Sequence, residues 1–319
     1  MGPVRLLGVS HSGTESVCIE GHGEIFQGPS GSSLVTPMLA WKVNTVRVPL
    51  NESCWLGIGG VAPMTSGRAY QEAIVRFVRM LRRNDLYVVL DLHWNAPGAG
   101  VARAQLPMAD RDHSPAFWTS VANAFKDDAG VVFDLYNEPF IKTENADTRD
   151  PWACWLAGCT IKPSSPGAES WASAGMQDLV DAVRATGATN VIALGGLSYA
   201  NDLSGWLAHA PRDPAKQLVA SFHAYNFAWP CKTSACWTTT LAAVAAQVPV
   251  LTGELGENDC AHEFIDEYMA WADRQGVSYL GWAWNVWDCR TGPALISDYE
   301  GAPTGLGAGF KRHLAALSE

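Results

Sequence analysis

Hydrophobic and polar positions follow one alternating scheme along the whole chain. Short runs of β-branched and aliphatic residues are each followed by a segment with apolar positions three and four apart. The runs read as buried strands and the spaced segments as amphipathic helices. Strands are predicted at Arg5–Val9, Asn44–Pro49, Tyr87–Leu92, Val131–Tyr136, Asn190–Leu194, Leu218–Phe222, Val248–Glu254 and Val277–Gly281. Helices are predicted near Leu34–Trp41, Arg68–Arg83, Ser114–Phe125, Trp171–Thr186, Asp202–His209, Thr239–Gln247, Cys260–Gln275 and Phe310–Leu317. Strands that alternate with helical crossovers form a parallel sheet. Eight such units closing on themselves predict a (β/α)8 barrel, with residues 1–319 as a single domain. No Pro/Ser-rich linker divides the chain.

Polar residues interrupt this scheme at matching places. The fourth run ends abruptly in Asn137-Glu138-Pro139. Proline cannot donate to a ladder and disfavours helix before itself, so the strand stops there. The seventh run ends in Glu254. Other strand ends supply Arg47, His93, His223, Tyr225 and Trp282. In a (β/α)8 barrel all these ends face one side, where functional groups gather. Strands four and seven lie on roughly opposite sides of the ring, so Glu138 and Glu254 can face each other across its mouth. Carboxyls about 5 Å apart suit retaining glycoside hydrolysis, and a wider gap suits inversion. One carboxyl must hold a proton for the leaving oxygen while the other is ionised. Arg47 would keep its partner charged. Glu254 is assigned to that place, with Tyr225 as a second donor, and Glu138 becomes the acid/base. Asn137 would bond a sugar hydroxyl beside the reacting carbon. His93 and His223 would bind hydroxyls or orient the carboxyls, and Trp282 would be a stacking platform. Singly, each has a plainer reading. Arg47 could neutralise Asp91 or Asp134, Trp282 and Trp284 could both be core, and Asp91-x-His93 could bind metal.

Composition narrows the partners. Net charge is −10, which argues against nucleic acid or an anionic membrane surface as partner. No apolar run reaches membrane-span length. Fourteen tryptophans is a high number, partly core and partly what a sugar-binding cleft needs. The eight cysteines include two close pairs, Cys154/Cys159 and Cys231/Cys236, whose spacing is unlike a zinc knuckle. They read as disulfides, with Cys18–Cys54 and Cys260–Cys289 joining neighbouring strand-end loops. An oxidising, extracellular location follows. The opening Met1-Gly2-Pro3 is read as an added start on a mature form. The long segment 140–169, with Trp152 and Trp155, reads as an ordered lid or cleft wall.

The set Val46-Arg47-Val48-Pro49, Leu90-Asp91-Leu92-His93, Tyr136-Asn137-Glu138-Pro139, His223-Ala224-Tyr225, Thr252-Gly253-Glu254 and Gly281-Trp282-Ala283-Trp284, in this order, resembles glycoside hydrolase family 5. The resemblance implies a retaining double displacement, with Glu138 as acid/base and Glu254 as nucleophile. It also implies supporting roles for Arg47, His93, Asn137, His223, Tyr225 and Trp282, and no metal or organic cofactor. Ser10-His11 departs from the Asn-Trp or similar pair common in cellulase-like members, which bears on sugar contacts near strand one. The expected enzyme is a secreted, monomeric, endo-β-1,4-glucanase-like hydrolase of oligo- or polysaccharide. The alternatives are an exo-glycosidase on another sugar (mannoside, xyloside, galactoside or furanoside) and a non-catalytic glycan-binding barrel.

Overall fold

The computed structural model describes residues 4–162 and 169–317. Met1–Pro3, read above as an added start, and residues 163–168 of the long segment lie outside them. Eight parallel strands form a closed barrel in which each pairs with its sequence neighbours and the first pairs with the last. They are Leu7–Ser10, Thr45–Asn51, Tyr87–Trp94, Val131–Asp134, Ile192–Gly195, Leu218–Tyr225, Val250–Gly256 and Ser278–Gly281. All eight expected strands are present. Their register runs Gly8↔Thr45, Val46↔Val88, Val89↔Val132 and Phe133↔Ile192 around the first half.

Strand side chains alternate between the two faces of the barrel wall. Outward positions such as Val88, Leu90, Phe133 and Phe222 join the large core under the helices. Helix Arg68–Arg82 shows the match: Tyr70, Ile74, Phe77, Val78 and Leu81 lie on one stripe and are buried. Each such side chain contributes roughly 1.5–3 kcal/mol on burial. Inward positions form a separate small cluster of Val89, Val132, Ala193, Leu251 and Leu280. Two residues further along the same inward face the chemistry changes: Val89 gives way to Asp91, and Val132 to Asp134. Both aspartates are fully buried. The barrel interior is therefore apolar in its lower layer and charged in its upper one.

Arg47 makes that charged layer possible. Its guanidinium lies 3.3 Å from both Asp91 and Asp134 and 2.8 Å from Glu254. Burial works against its charge, but the three carboxylates outweigh burial and push its pKa up. Asp91 shows the same contest in reverse: burial raises it, yet Arg47 and His93 hold it below the ordinary range. Asp134 is lifted to about 7 by burial, against the pull of Arg47.

Several connections differ from expectation. The helix predicted from Trp171 begins at Met176, because Trp171–Ala172 pairs antiparallel with Thr160–Ile161. Within the long segment, Asp150 caps a helix Pro151–Ala157. Its Trp155 is buried and bonds Gly195 O at 2.8 Å, and Trp152 packs on Trp155. These aromatics therefore brace the fifth strand instead of walling a cleft. Of the helix predicted at Asp202–His209, only a short turn Leu207–His209 forms. The last helix starts early, at Gly305, with Thr304 as its cap. A Cβ at Gly307 would stand 1.8 Å from Leu295 O, so the glycines that hid this helix are what let it pack.

All four expected disulfides are formed: Cys18–Cys54, Cys154–Cys159, Cys231–Cys236 and Cys260–Cys289. No helix among the described residues is long and apolar enough to cross a membrane.

Two predictions follow from this architecture. Cys18–Cys54 spans 36 residues and Cys231–Cys236 spans 5. Loop-closure entropy makes the first worth about 4 kcal/mol and the second about 2. Double serine variants in urea unfolding should show that order, and a larger loss from the short loop would contradict it. Arg47→Ala strands buried carboxylates and should cost about 3–5 kcal/mol. A loss below about 1 kcal/mol would show that the charged layer does not depend on it.

Candidate active site

The eight predicted site residues converge at one end of the barrel. Arg47, fully buried, forms the floor. Its Nη1 donates to Glu254 Oε1 at 2.8 Å and its Nη2 to Asn137 Oδ1 at 2.7 Å. The plainer reading of Arg47 as a neutraliser of Asp91 and Asp134 also holds, since one guanidinium serves every partner. The Tyr225 hydroxyl donates to Glu254 Oε2 at 2.6 Å, so both oxygens of that carboxylate are held. Glu254 itself is 4% exposed.

Glu254 reaches this position through a bulge. Phe222 pairs with Thr252 and His223 with Glu254, so Gly253 is an extra residue on the seventh strand. Thr252 points outward to Tyr268 on helix Glu263–Gln275, within 2.6 Å of its hydroxyl. Strict alternation would send Glu254 outward as well. The extra residue re-aims it into the barrel. The residue at the bulge must be small: a Cβ on Gly253 would come within 3.1 Å of His223 Nε2.

Glu138 stands across the opening. Its Oε1 lies 2.8 Å from His223 Nδ1, which is also 3.5 Å from Glu254 Oε2. An oxygen of Glu138, a ring nitrogen of His223 and an oxygen of Glu254 all lie within 4.8 Å of one another. The Glu138 side chain keeps 21% of its surface open to the cleft. Burial of the remainder raises its pKa to about 7, against the opposing pull of His93 and Arg47. Burial drives His223 down to about 4, so its imidazole is neutral. Burial also disfavours charge on His93, but Asp91 at 2.8 Å overrides it and lifts His93 to about 9. The His93 ring stacks on Trp282, 5.5 Å between centroids and 8° from parallel.

Above these groups opens a cleft of about 680 Å³. Its walls add Lys142, Tyr199, Phe227 and Trp229, none of which was expected from the sequence. Of the long segment, Lys142 alone among the described residues lines the cleft. Half of the 14 tryptophans are core: Trp41, Trp55, Trp118, Trp155, Trp206, Trp237 and Trp284 are fully buried. Trp282 faces the cleft while Trp284 packs against Trp41, which separates the two residues that could both have been core. His11 is buried between Phe26 and Phe77 and bonds Pro29 O, away from the cleft.

Gln105 was also missed. Its Oε1 accepts from Asn137 Nδ2 and its Nε2 donates to Glu138 O, both at 3.0 Å. It sits in the loop after the third strand, where no periodicity marks it. A second support follows the fifth strand. Ser198, Tyr199 and Ala200 are all left-handed, with φ of 55°, 60° and 57°. That conformation costs about 1–2 kcal/mol per residue. It delivers the Tyr199 N–H to Pro139 O at 2.9 Å and stacks the Tyr199 ring on Phe140.

Metal-ligand chemistry fits this site poorly. Asp91 is committed to Arg47 and His93 below the cleft. Glu138, His223 and Glu254 are close enough to share an ion, but the guanidinium on Glu254 would repel one. Cys260 and Cys289, beside Asp288, are joined in a disulfide and offer no thiolate.

Comparison with known proteins agrees with this geometry. A family model, Cellulase (glycosyl hydrolase family 5), matches residues 8–288. The endoglucanase MaCel5A of Microbulbifer sp. (strain ALW1) is 28% identical over 137 residues, 43% of this chain and 23% of that protein. A mannan endo-1,4-beta-mannosidase of Streptomyces lividans is 24% identical over 266 residues, 81% of this chain and 58% of that protein. The chain thus spans between about a quarter and three fifths of these relatives. Among solved structures, the beta-glucanase SdGluc5_26A of Saccharophagus degradans superposes with a TM-score of 0.71 at 20% identity, covering 99% of this chain and 89% of that one. The endo-beta-1,4-glucanase of Xanthomonas axonopodis pv. citri gives 0.70 at 18%, covering 98% and 100%. These structures share the barrel, and with the family model spanning most of its length, this chain belongs to the cellulase family, glycosyl hydrolase family 5.

Proposed function

We propose that the chain is a retaining β-glycoside hydrolase, with Glu138 as acid/base and Glu254 as nucleophile. The observation that carries this reading is that an oxygen of Glu138 and an oxygen of Glu254 lie within 4.8 Å of each other across one cleft. That gap suits direct attack and leaves little room for the water an inverting enzyme places between its carboxyls. Environment divides the roles. Glu138, with a pKa near 7, holds a proton at neutral pH and passes it to the glycosidic oxygen as the C–O bond breaks. Glu254, fixed by Arg47 and Tyr225, attacks the anomeric carbon from the opposite face and forms the glycosyl–enzyme ester. Glu138, now ionised, takes a proton from water, which attacks the same carbon and releases Glu254. Neutral His223 sits between the two carboxyls without adding a charge that would favour either. Asn137 and His93 meet sugar hydroxyls, and Trp282 provides the flat apolar face for a pyranose ring.

The substrate reading is a β-1,4-linked glucan or its oligosaccharides, cleaved internally by a monomer in which residues 1–319 act as one catalytic unit. The beta-glucanase and endoglucanase likenesses support it, and the mannosidase likeness keeps mannan as the second reading. An open cleft with exposed Phe227 and Trp229 supports endo action. The described part of the long segment contributes only Lys142 to it, which favours the endo reading. Four disulfides support an extracellular setting.

Glu138→Gln and Glu254→Gln should each lower kcat on cello-oligosaccharides by at least about a thousandfold with the fold intact by circular dichroism. Near-normal turnover in either would refute the assignment. Azide should rescue Glu254→Gly and yield the α-glycosyl azide, whereas a β product would exclude attack from the face that Glu254 occupies. A general acid is active while protonated, so kcat/KM should fall as pH rises through about 7. With a dinitrophenyl leaving group that needs no proton, Glu138→Gln should lack this alkaline limb. A limb unchanged in that variant would assign the titration to another group.

A further inference from the structure

The acid/base residue does not lie on a strand. Regular pairing of the fourth strand ends at Asp134, and Glu138 follows in an irregular stretch that closes on Pro139. The backbone of that stretch is held from both sides by the neighbouring loops. Asn137 N bonds Leu92 O, Tyr199 N bonds Pro139 O, and Phe140 N bonds Pro107 O. The Glu138 carbonyl is taken by a side chain, Gln105. The same amide accepts from the Asn137 side chain, whose oxygen is already bound to Arg47. One proton of Asn137 Nδ2 is therefore spent on Gln105, and the same nitrogen lies 3.5 Å from His93 Nε2 at the cleft wall.

A glutamine on a loose loop could not hold anything in register. This loop is fixed at many points. Ala96 N donates to Glu52 Oε1 and Ala102 N to Ser53 Oγ, while Asn51 Nδ2 donates to Ala102 O. The Tyr136 hydroxyl, from the acid/base stretch itself, reaches Leu106 O at 2.7 Å. Asp110 accepts from Asn95 Nδ2 and His113 N, and Ser114 joins Asp110 to Glu52. The ribbon stapled by Cys154–Cys159 packs on the far side, with Arg111 N on Ala172 O and Ala174 N on Ala109 O.

We propose that Gln105 is a positioning residue for hydrolysis: its amide clamps the Asn137 side chain to the Glu138 backbone, so that the hydroxyl contact and the proton donor are set as one unit. It touches neither the substrate nor the reacting atoms. The proposal rests on the roles given above to Glu138 and Asn137. Sugar-hydroxyl contacts next to the reacting carbon strengthen in the transition state, so misplacing Asn137 should lower kcat more than it raises KM.

The test compares Gln105→Leu, which keeps the shape and loses both bonds, with Gln105→Glu, which keeps the acceptor for Asn137. The probes are 4-nitrophenyl β-cellobioside and its analogue lacking the 2-hydroxyl on the reacting sugar, or the mannobiosides if product analysis shows mannan cleavage. Gln105→Leu should lower kcat on the parent glycoside about 10- to 50-fold with KM within about twofold. On the 2-deoxy analogue the loss should shrink to within about threefold, because the contact it misplaces is absent. Gln105→Glu keeps the acceptor for Asn137 but has no donor for Glu138 O, so it should recover only part of the kcat on the parent; full recovery would remove the Glu138 bond from the clamp. Equal losses on the two substrates, a change confined to KM, or wild-type kinetics in Gln105→Leu would each overturn the clamp. A melting temperature lowered in step with activity in both variants would also overturn it, reducing Gln105 to a fold contact. Failure of the underlying roles looks different, since Glu138→Gln would then stay active whatever Gln105 does.

Discussion

Everything at the barrel mouth depends on a single buried cation. Arg47 sits where the apolar lower layer of the barrel ends, and its charge lets three carboxylates and an amide occupy a space closed to water. An unpaired carboxylate there would protonate or disrupt the fold. With the guanidinium present, Glu254 is held at a fixed distance, Asn137 is oriented by its oxygen, and Asp91 stays ionised to charge His93 in turn. Stability and chemistry thus share one group. The plain structural role of Arg47 and its functional role do not compete.

The two carboxyls that face each other differ because only one is served by that cation directly. Glu254 has a donor on each oxygen. Glu138 has a neutral imidazole on one side and an apolar-walled cleft on the other, and burial shifts it towards the protonated form. Identical side chains at one barrel mouth thereby meet different surroundings, two donors for Glu254 and a buried, partly apolar setting for Glu138. His93 is part of the same balance. Held charged by Asp91, it presents a flat cationic ring to Trp282 and keeps that indole parallel to itself at the cleft floor.

Much of this could be read before any coordinates. Eight runs of strand-forming residues with matching polar ends located Arg47, His93, Asn137, Glu138, His223, Tyr225, Glu254 and Trp282 together, because a parallel barrel puts all its strand ends on one face. Loops were less legible, because their packing depends on partners distant in sequence. Trp152 and Trp155 looked like a cleft wall and instead brace the fifth strand. The left-handed turn at Ser198–Ala200 carries no glycine to announce it. Gln105 gave no signal, since a lone glutamine in a loop acquires meaning only from what it meets across space. The glycines at the start of the last helix look like a loop in sequence, although Gly305, Gly307 and Gly309 are each a site of close packing.

The bulge at Gly253 has an evolutionary corollary. A strand of strict alternation would have sent this glutamate into the layer of helices, and one inserted residue brings it inside. Indels in sheets are usually counted as damage. Here a single-residue length change decides whether Glu254 faces the helices or the cleft, so lineages of this fold could gain or lose the proposed nucleophile without altering one side chain around it. Alignments that score only residue identity at the motif would overlook such a switch; the spacing between Thr252 and Glu254 is itself the heritable trait.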